Sequence, residues 1–220
     1  MNERDKAYFL DRVSLEMDED LKAAPLNVVE SLSLACRILA REGHESGLAG
    51  QVTARANGPN DGPNDLAGTW WTLQFGYGFE EASAERMVLV DEDLKPLSGG
   101  RPNPGVRFHV WIYRKRPDVN AIVHTHAPHA SALAATGKAL KTIHMDGAML
   151  HGTAHLAEWP GVPVADDEGR IISSALGEAK TILLANHGLL TTGNSVEEAT
   201  YLAVFFERAA RMQLRAMAAG

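Results

Sequence analysis

His124 and His126 flank a single threonine at the end of an apolar stretch, residues 119–126 (Val-Asn-Ala-Ile-Val-His-Thr-His). Side chains two apart on a strand point to one face, with Cα atoms about 6.6 Å apart, so two such imidazoles can converge on one metal ion. His187 follows a second apolar run, residues 181–185 (Thr-Ile-Leu-Leu-Ala), in the turn Asn186-His187-Gly188. Two strand ends that deliver three imidazoles suggest a catalytic metal site, because three protein ligands leave a position for substrate. His-x-His alone is a weak signal, and Gly188 alone can serve a tight turn. The apolar residues ahead of His124 strengthen the metal reading. They predict a buried strand, and buried imidazoles need partners. A metal is one solution; carbonyl or carboxylate partners are the other.

Further candidates lie nearby. A turn-rich segment, residues 98–105 (Ser-Gly-Gly-Arg-Pro-Asn-Pro-Gly), leads into a helix carrying His109. That helix is expected to end before Pro117, since proline disfavours helical geometry in the residue ahead of it. Arg101 and Arg107 flank its start, an arrangement suited to a carboxylate or phosphate. Solvated arginines are the plain alternative. His109 reads equally as a site residue or as a helix residue hydrogen-bonded to a neighbour. His129, His144, His151 and His155 read as solvated or structural.

These groups need elements to hold them. Asn27 and Glu30 predict a capping box, followed by Leu32, Ala35, Ile38 and Leu39 at helical spacing and a stop at Gly43. Residues 50–56 alternate like a strand. Residues 57–65 contain Gly-Pro-Asn-Asp twice and read as a loop, too short for an architectural repeat. Strands are expected at 69–75, at 86–90, through 119–126 and at 180–185. Helices are expected near 129–136, ended by Gly137, and from about 168 to 176, with an irregular region between them. A last helix opens with a capping box at Ser195 and Glu198. Strands interleaved with covering helices predict one layered α/β domain over residues 1–220.

Composition narrows the function classes. The chain has 220 residues, a formal net charge of −7 and no long basic run. Nucleic-acid binding is therefore not expected, although a local anion pocket is compatible with that charge. Cys36 is the only cysteine, so no internal disulfide can form, which fits a reducing compartment. A small residue on an apolar helix face is its plain reading. The charged N-terminus lacks an apolar signal core, and no apolar run approaches the roughly 18 residues that span a bilayer. A cytoplasmic protein with a small-molecule substrate and no membrane partner is expected.

From about residue 28 to 215 the chain resembles the class II aldolase/adducin head family. The matching landmarks are residues 50–55 (Gly-Gln-Val-Thr-Ala-Arg), 88–91 (Val-Leu-Val-Asp), His109 with 112–118 (Ile-Tyr-Arg-Lys-Arg-Pro-Asp), 121–126 (Ala-Ile-Val-His-Thr-His) and 185–189 (Ala-Asn-His-Gly-Leu). Residues 197–199 and 207–213 also fit. The resemblance implies a three-layer α/β/α sandwich and a homo-oligomer, a tetramer with active sites between subunits. It also implies that His124, His126 and His187 hold a divalent ion, with zinc first and manganese, cobalt or nickel as alternatives.

Departures from the family pattern shape the expected chemistry. Sugar-phosphate aldolases of this family carry Pro-Ser-x-Glu ahead of the helix, and the glutamate handles the proton on the substrate carbon. Here residues 102–105 read Pro-Asn-Pro-Gly, so Gly105 stands at the glutamate position. Asn103 and Pro104 replace phosphate-holding serines, Gln51 replaces an asparagine of the phosphate loop, and Met145 aligns with a tyrosine that acts as acid in some aldolases. Glycine transfers no proton, and proline offers no backbone donor. The wording around Arg101 is similar to the adducin-like branch.

The expected function is a divalent-metal-dependent carbon–carbon lyase working through a metal-stabilised enolate. Its substrate would be a small hydroxy or keto acid or a sugar derivative, with decarboxylation favoured over aldol cleavage. Arg101 or Arg107 would hold the acid and His109 would supply the proton. The alternatives are a non-catalytic adducin-like binding or assembly module, and a sugar-phosphate aldolase or epimerase with a replacement acid/base.

Overall fold

The computed structural model describes residues 5–20, 26–44, 46–56 and 66–220, with the backbone only at 17–20. The tandem Gly-Pro-Asn-Asp segment at 57–65 lies outside the described residues.

Helix α1 (Lys6–Asp20) precedes α2 (Val28–Arg41), and strands β1 (Gln51–Arg55), β2 (Trp70–Leu73), β3 (Met87–Val90) and β4 (Pro96–Ser98) follow. Next come α3 (Arg107–Lys115), β5 (Ala121–Thr125), α4 (Pro128–Ala135), β6 (Ala154–Leu156) and α5 (Asp166–Leu176). The chain ends with β7 (Thr181–Leu184), β8 (Leu189–Gly193) and α6 (Val196–Ala219). The strands form one eight-stranded sheet in the order β4-β3-β2-β1-β5-β8-β7-β6. Its described pairs are antiparallel except β6 with β7.

Both faces of this sheet are covered, which explains why the central strands read as continuous apolar runs. Val123, Leu183 and Leu189 face one core with Leu32, Leu39, Leu133, Ala203 and Phe206 of α2, α4 and α6. Their neighbours Ile122, Ile182, Leu184 and Leu190 face a second core with Phe108, Ile112, Ile172 and Leu176 of α3 and α5. Two layers of helix around a mixed sheet match the expected α/β/α sandwich.

Local chemistry accounts for several ends. Asn27 and Glu30 form the full capping box of α2, and Gly43 stops it at φ 83°. Ile38, grouped with the inner face from its spacing, is 39% exposed. At α6, Ser195 caps the Glu198 N–H. The Glu198 carboxylate turns instead to the Asn194 N–H and Lys180, so the expected box is half formed. Arg116 grips Asp118 at 2.8 and 2.7 Å where α3 ends before Pro117.

Four elements were not foreseen: α1, β4, β6 and β8. β6 is three residues long inside the segment read as irregular, and β8 is fully buried without alternation. No helix among the described residues is long and apolar enough to cross a membrane.

Candidate metal centre

β5 lies between β1 and β8, buried throughout, and His124 is its second-last residue. His124 stands opposite Gln51 on β1 and Leu190 on β8. Opposite residues share a face, so His124 and Gln51 belong with Ile122 on the α3/α5 side. His126 follows one residue past the strand end on the same alternation. Its backbone N–H donates to Ser46 Oγ at 2.8 Å, which fixes where the chain leaves the sheet.

His187 arrives from the β7–β8 hairpin. Leu184 N–H donates to Gly188 O at 2.9 Å and His187 N–H to Leu184 O at 3.2 Å, closing a tight turn. Asn186 occupies the left-handed region at φ 51°, which asparagine tolerates better than most residues. Gly188 is needed for a different reason. A Cβ there would lie 2.3 Å from Thr125 O and 3.2 Å from His126 Cα, so the turn packs directly on the backbone that carries the histidine pair.

The result is a compact triad. The rings lie 5.0 Å (124 to 126), 4.7 Å (124 to 187) and 4.5 Å (126 to 187) apart, centre to centre. One nitrogen from each lies within 4.8 Å of the others, a spacing that can hold a metal ion. His124 Nδ1 hydrogen-bonds to Leu189 O at 2.8 Å. A carbonyl only accepts, so Nδ1 carries the proton and Nε2 presents its lone pair. That Nε2 sits 3.2 Å from His126 Nε2. His187 Nδ1 is buried with no hydrogen-bond partner among the described residues. Facing imidazole nitrogens and an orphaned buried nitrogen suit a shared cation better than a protein-only network.

Electrostatics agree. Burial, then the His187, His126 and His109 rings, hold His124 well below the usual imidazole range. Burial and then His126 push His187 down to about 4, and burial lowers His126. All three are neutral at physiological pH, the form that ligates. Among the described residues, no carboxylate joins the group, which leaves coordination positions open.

The other sequence candidates sit as follows. His109 is fully buried, with Nδ1 bonded to Thr53 Oγ1 at 2.9 Å. Thr53 Oγ1 bonds in turn to the Tyr113 hydroxyl at 2.9 Å. Burial pushes His109 down to about 3, and its Nε2 has no partner among the described residues. Its ring packs edge-to-face with Phe108, which packs in the same way with His124. Arg107 is turned away from an anion role. Its Nε donates to Asp166 Oδ1 at 2.7 Å and its Nη1 to Glu92 O at 2.7 Å. Arg101 is exposed, and its guanidinium has no partner among the described residues.

Gly105 lies beside Gln51. A Cβ at 105 would meet Gln51 Nε2 at 2.7 Å, so the amide opposite His124 fills the space a side chain would need. Gln51 Oε1 is buried without a partner among the described residues. His129 pairs with Glu207, His144 accepts from the Asp146 N–H, and neither joins the triad. His44 escaped notice in the sequence. It is fully buried and hydrogen-bonds Thr125 Oγ1 at 2.9 Å, and no motif marks it.

Residues 30–214 match the model of the class II aldolase and adducin N-terminal domain. A 3,4-dihydroxyphthalate decarboxylase of Arthrobacter keyseri is 32% identical over 207 residues, covering 87% of this chain and 79% of the relative. An L-fuculose phosphate aldolase of Haemophilus influenzae is 31% identical over 189 residues, covering 84% and 81%. The structure of L-fuculose 1-phosphate aldolase from Glaciozyma antarctica superposes with a TM-score of 0.77 at 29% identity, covering 90% of this chain and 80% of that one. With the sandwich, the strand-end triad and a match that runs from α2 nearly to the end of α6, the chain belongs to the class II aldolase and adducin N-terminal domain family.

Proposed function

We propose that this protein is a divalent-metal-dependent carbon–carbon lyase that decarboxylates a small hydroxy or keto acid. The observation that carries the reading is the neutral triad of His124, His126 and His187 beside a position, Gly105, that offers no base. The kinship to a decarboxylase and to aldolases supports the same class of bond cleavage. Imidazole donors at a strand end suit zinc, with manganese, cobalt or nickel as alternatives. His124, His126 and His187 would hold a divalent ion, which would supply a Lewis acid for the charge left on the substrate.

The chain's own residues divide the remaining work. Leu189 O holds the His124 ring in the tautomer that leaves Nε2 free. Arg101, exposed and unpaired among the described residues, holds the substrate's carboxylate. Gln51 Oε1, opposite His124, accepts a hydrogen bond from a substrate hydroxyl. His109 stays neutral in its buried pocket and acts through packing, by way of Phe108, on His124. The bond to the carboxylate breaks, carbon dioxide leaves, and the electron pair remains on the substrate until a proton arrives from solvent. No base need act on the substrate carbon, which suits Gly105.

A homo-oligomer belongs to the same reading. Met145, where the resemblance puts a tyrosine in some aldolases, is 83% exposed, and Trp159 and Val162 are 55% and 62% exposed. Apolar side chains so displayed suit a neighbouring copy.

The test is metal analysis of the purified protein, then carbon dioxide release from a panel of aromatic hydroxy acids and keto acids. His124→Ala is expected to lose both bound metal and turnover. Wild-type protein that binds no divalent ion at stoichiometry overturns the proposal.

A further inference from the structure

The triad spans two chain segments, and part of what fixes them lies on the opposite side of the sheet. β5 ends at Thr125, and α4 begins two residues beyond His126. This helix has no cap of its own. Ala127 at its N-cap offers no side-chain acceptor, and Pro128 opens it. The cap comes from far along the chain. Glu207, mid-way in α6 and 7% exposed, sets its carboxylate against the first turn of α4. Oε1 accepts from the His129 N–H at 2.9 Å and from His129 Nδ1 at 2.6 Å, and Oε2 accepts from the Ala130 N–H at 2.8 Å. A carboxylate here satisfies donors that a helix start leaves orphaned and faces the positive end of the helix dipole.

In the same turn of α4, Ser131 reaches the other segment. Its hydroxyl donates to the carbonyl oxygen of His187 at 2.9 Å. The hairpin that carries His187 is thus tied to the helix that follows His126, and that helix is tied to Glu207. We propose that Glu207 and Ser131 are positioning residues for the triad: Glu207 sets α4, and Ser131 sets the His187 turn against the end of β5. This rests on the triad being the metal centre proposed above. A cap that only stabilised α4 would affect folding and leave the folded site's affinity unchanged.

The experiment uses the full chain and cobalt(II) alone. Affinity is measured by competition with a chromophoric chelator, and the ligand-field spectrum of the bound ion reports geometry. Ser131→Ala and Glu207→Gln are each expected to weaken cobalt binding by about ten-fold, the usual effect of losing a group that orients a ligand, and to shift the visible bands. Ser131→Thr keeps the hydroxyl and is expected to restore both. The double variant is expected to fall short of the product of the single effects, because both act along one path. If Glu207→Gln is not recovered folded, Glu207→Asp, which keeps the charge and shortens the reach, takes its place. A wild type that takes up no cobalt overturns the metal reading itself. A wild type that binds cobalt, with variants of equal affinity and spectrum, overturns only the positioning. Effects that multiply independently, or a threonine that fails to rescue, also overturn it.

Discussion

Gly188→Ala is the sharpest probe of how the triad is assembled. The added Cβ would lie 2.3 Å from Thr125 O and 3.2 Å from His126 Cα, both backbone atoms that cannot rotate away. The first contact is about 1 Å short of ordinary van der Waals separation, so the turn or the end of β5 must retreat by a similar amount. Ligand distances at a metal tolerate only about 0.2 Å, and the retreat carries His187 away from His124 and His126. We expect metal affinity to fall roughly ten- to hundred-fold, in the range seen when ligand-orienting groups are lost. Overpacking of this kind also costs about 1–3 kcal/mol of stability. For a chain of this size that lowers the melting temperature by roughly 2–12 °C.

Gly137→Ala separates the two effects. Gly137 has φ 69° and open space around its Cβ, so alanine there is strained only by its backbone, at about 1–2 kcal/mol. It is expected to melt lower and bind metal normally. Chelator competition and thermal melts on the two variants decide the matter. If Gly188→Ala binds metal as the wild type does, the turn does not place His187 in the way described.

Two further outcomes follow from the flanking groups. Arg101→Ala is expected to raise KM for the carboxylate substrate by roughly ten- to hundred-fold, the worth of a charge-assisted hydrogen bond, with metal affinity unchanged; an unaltered KM removes Arg101 from the site. Asp166 is held down to about 2 by its hydrogen bonds from Arg107 and then Trp111. A depressed carboxyl contributes stability above its unfolded value near 4 and loses it as pH falls toward 2. Urea midpoints of the wild type and Asp166→Ala should therefore converge over that interval, and a constant gap refutes the assignment.

The parts of this molecule legible in its sequence are those whose chemistry allows few alternatives. The histidine pair alone allowed other readings, but with the Asn-His-Gly turn and the family landmarks around both, His124, His126 and His187 were read as one set. The capping box at Asn27 and the helical spacing after it fixed α2, and the apolar runs fixed β5 and β7. What was missed depends on distant partners. β8 is a fully buried run that shows neither period, and β6 is defined only by its pairing with β7. Arg107 resembled an anion ligand because its partner, Asp166, lies 59 residues on. Ser46, Ser131, Glu207 and the Leu189 carbonyl support the triad through groups that every protein has in quantity, so no motif announces them.

Position 105, a glycine, is tied to position 51 by packing, and that tie can be measured. Gln51 stands opposite His124, and its amide donates to Ala49 O while lying 2.7 Å from where a Cβ of residue 105 would sit. Any side chain at 105 must therefore move the amide from a buried position. The amide is the far end of a flexible chain, so Gly105→Ala is expected near the low end of overpacking penalties, about 1 kcal/mol. Gln51→Asn withdraws the amide by one methylene, about 1.5 Å. In that background the added methyl should be tolerated, giving a coupling of about 0.5–1 kcal/mol between the two sites. The thermal shift is small, roughly 2–4 °C for each kcal/mol, and lies within reach of calorimetry. Strict additivity would mean that Gln51 and Gly105 do not share the space. A coupling of the expected sign means that placing a glutamate at 105 requires a second change at 51, so the space opposite His124 is a property of the pair.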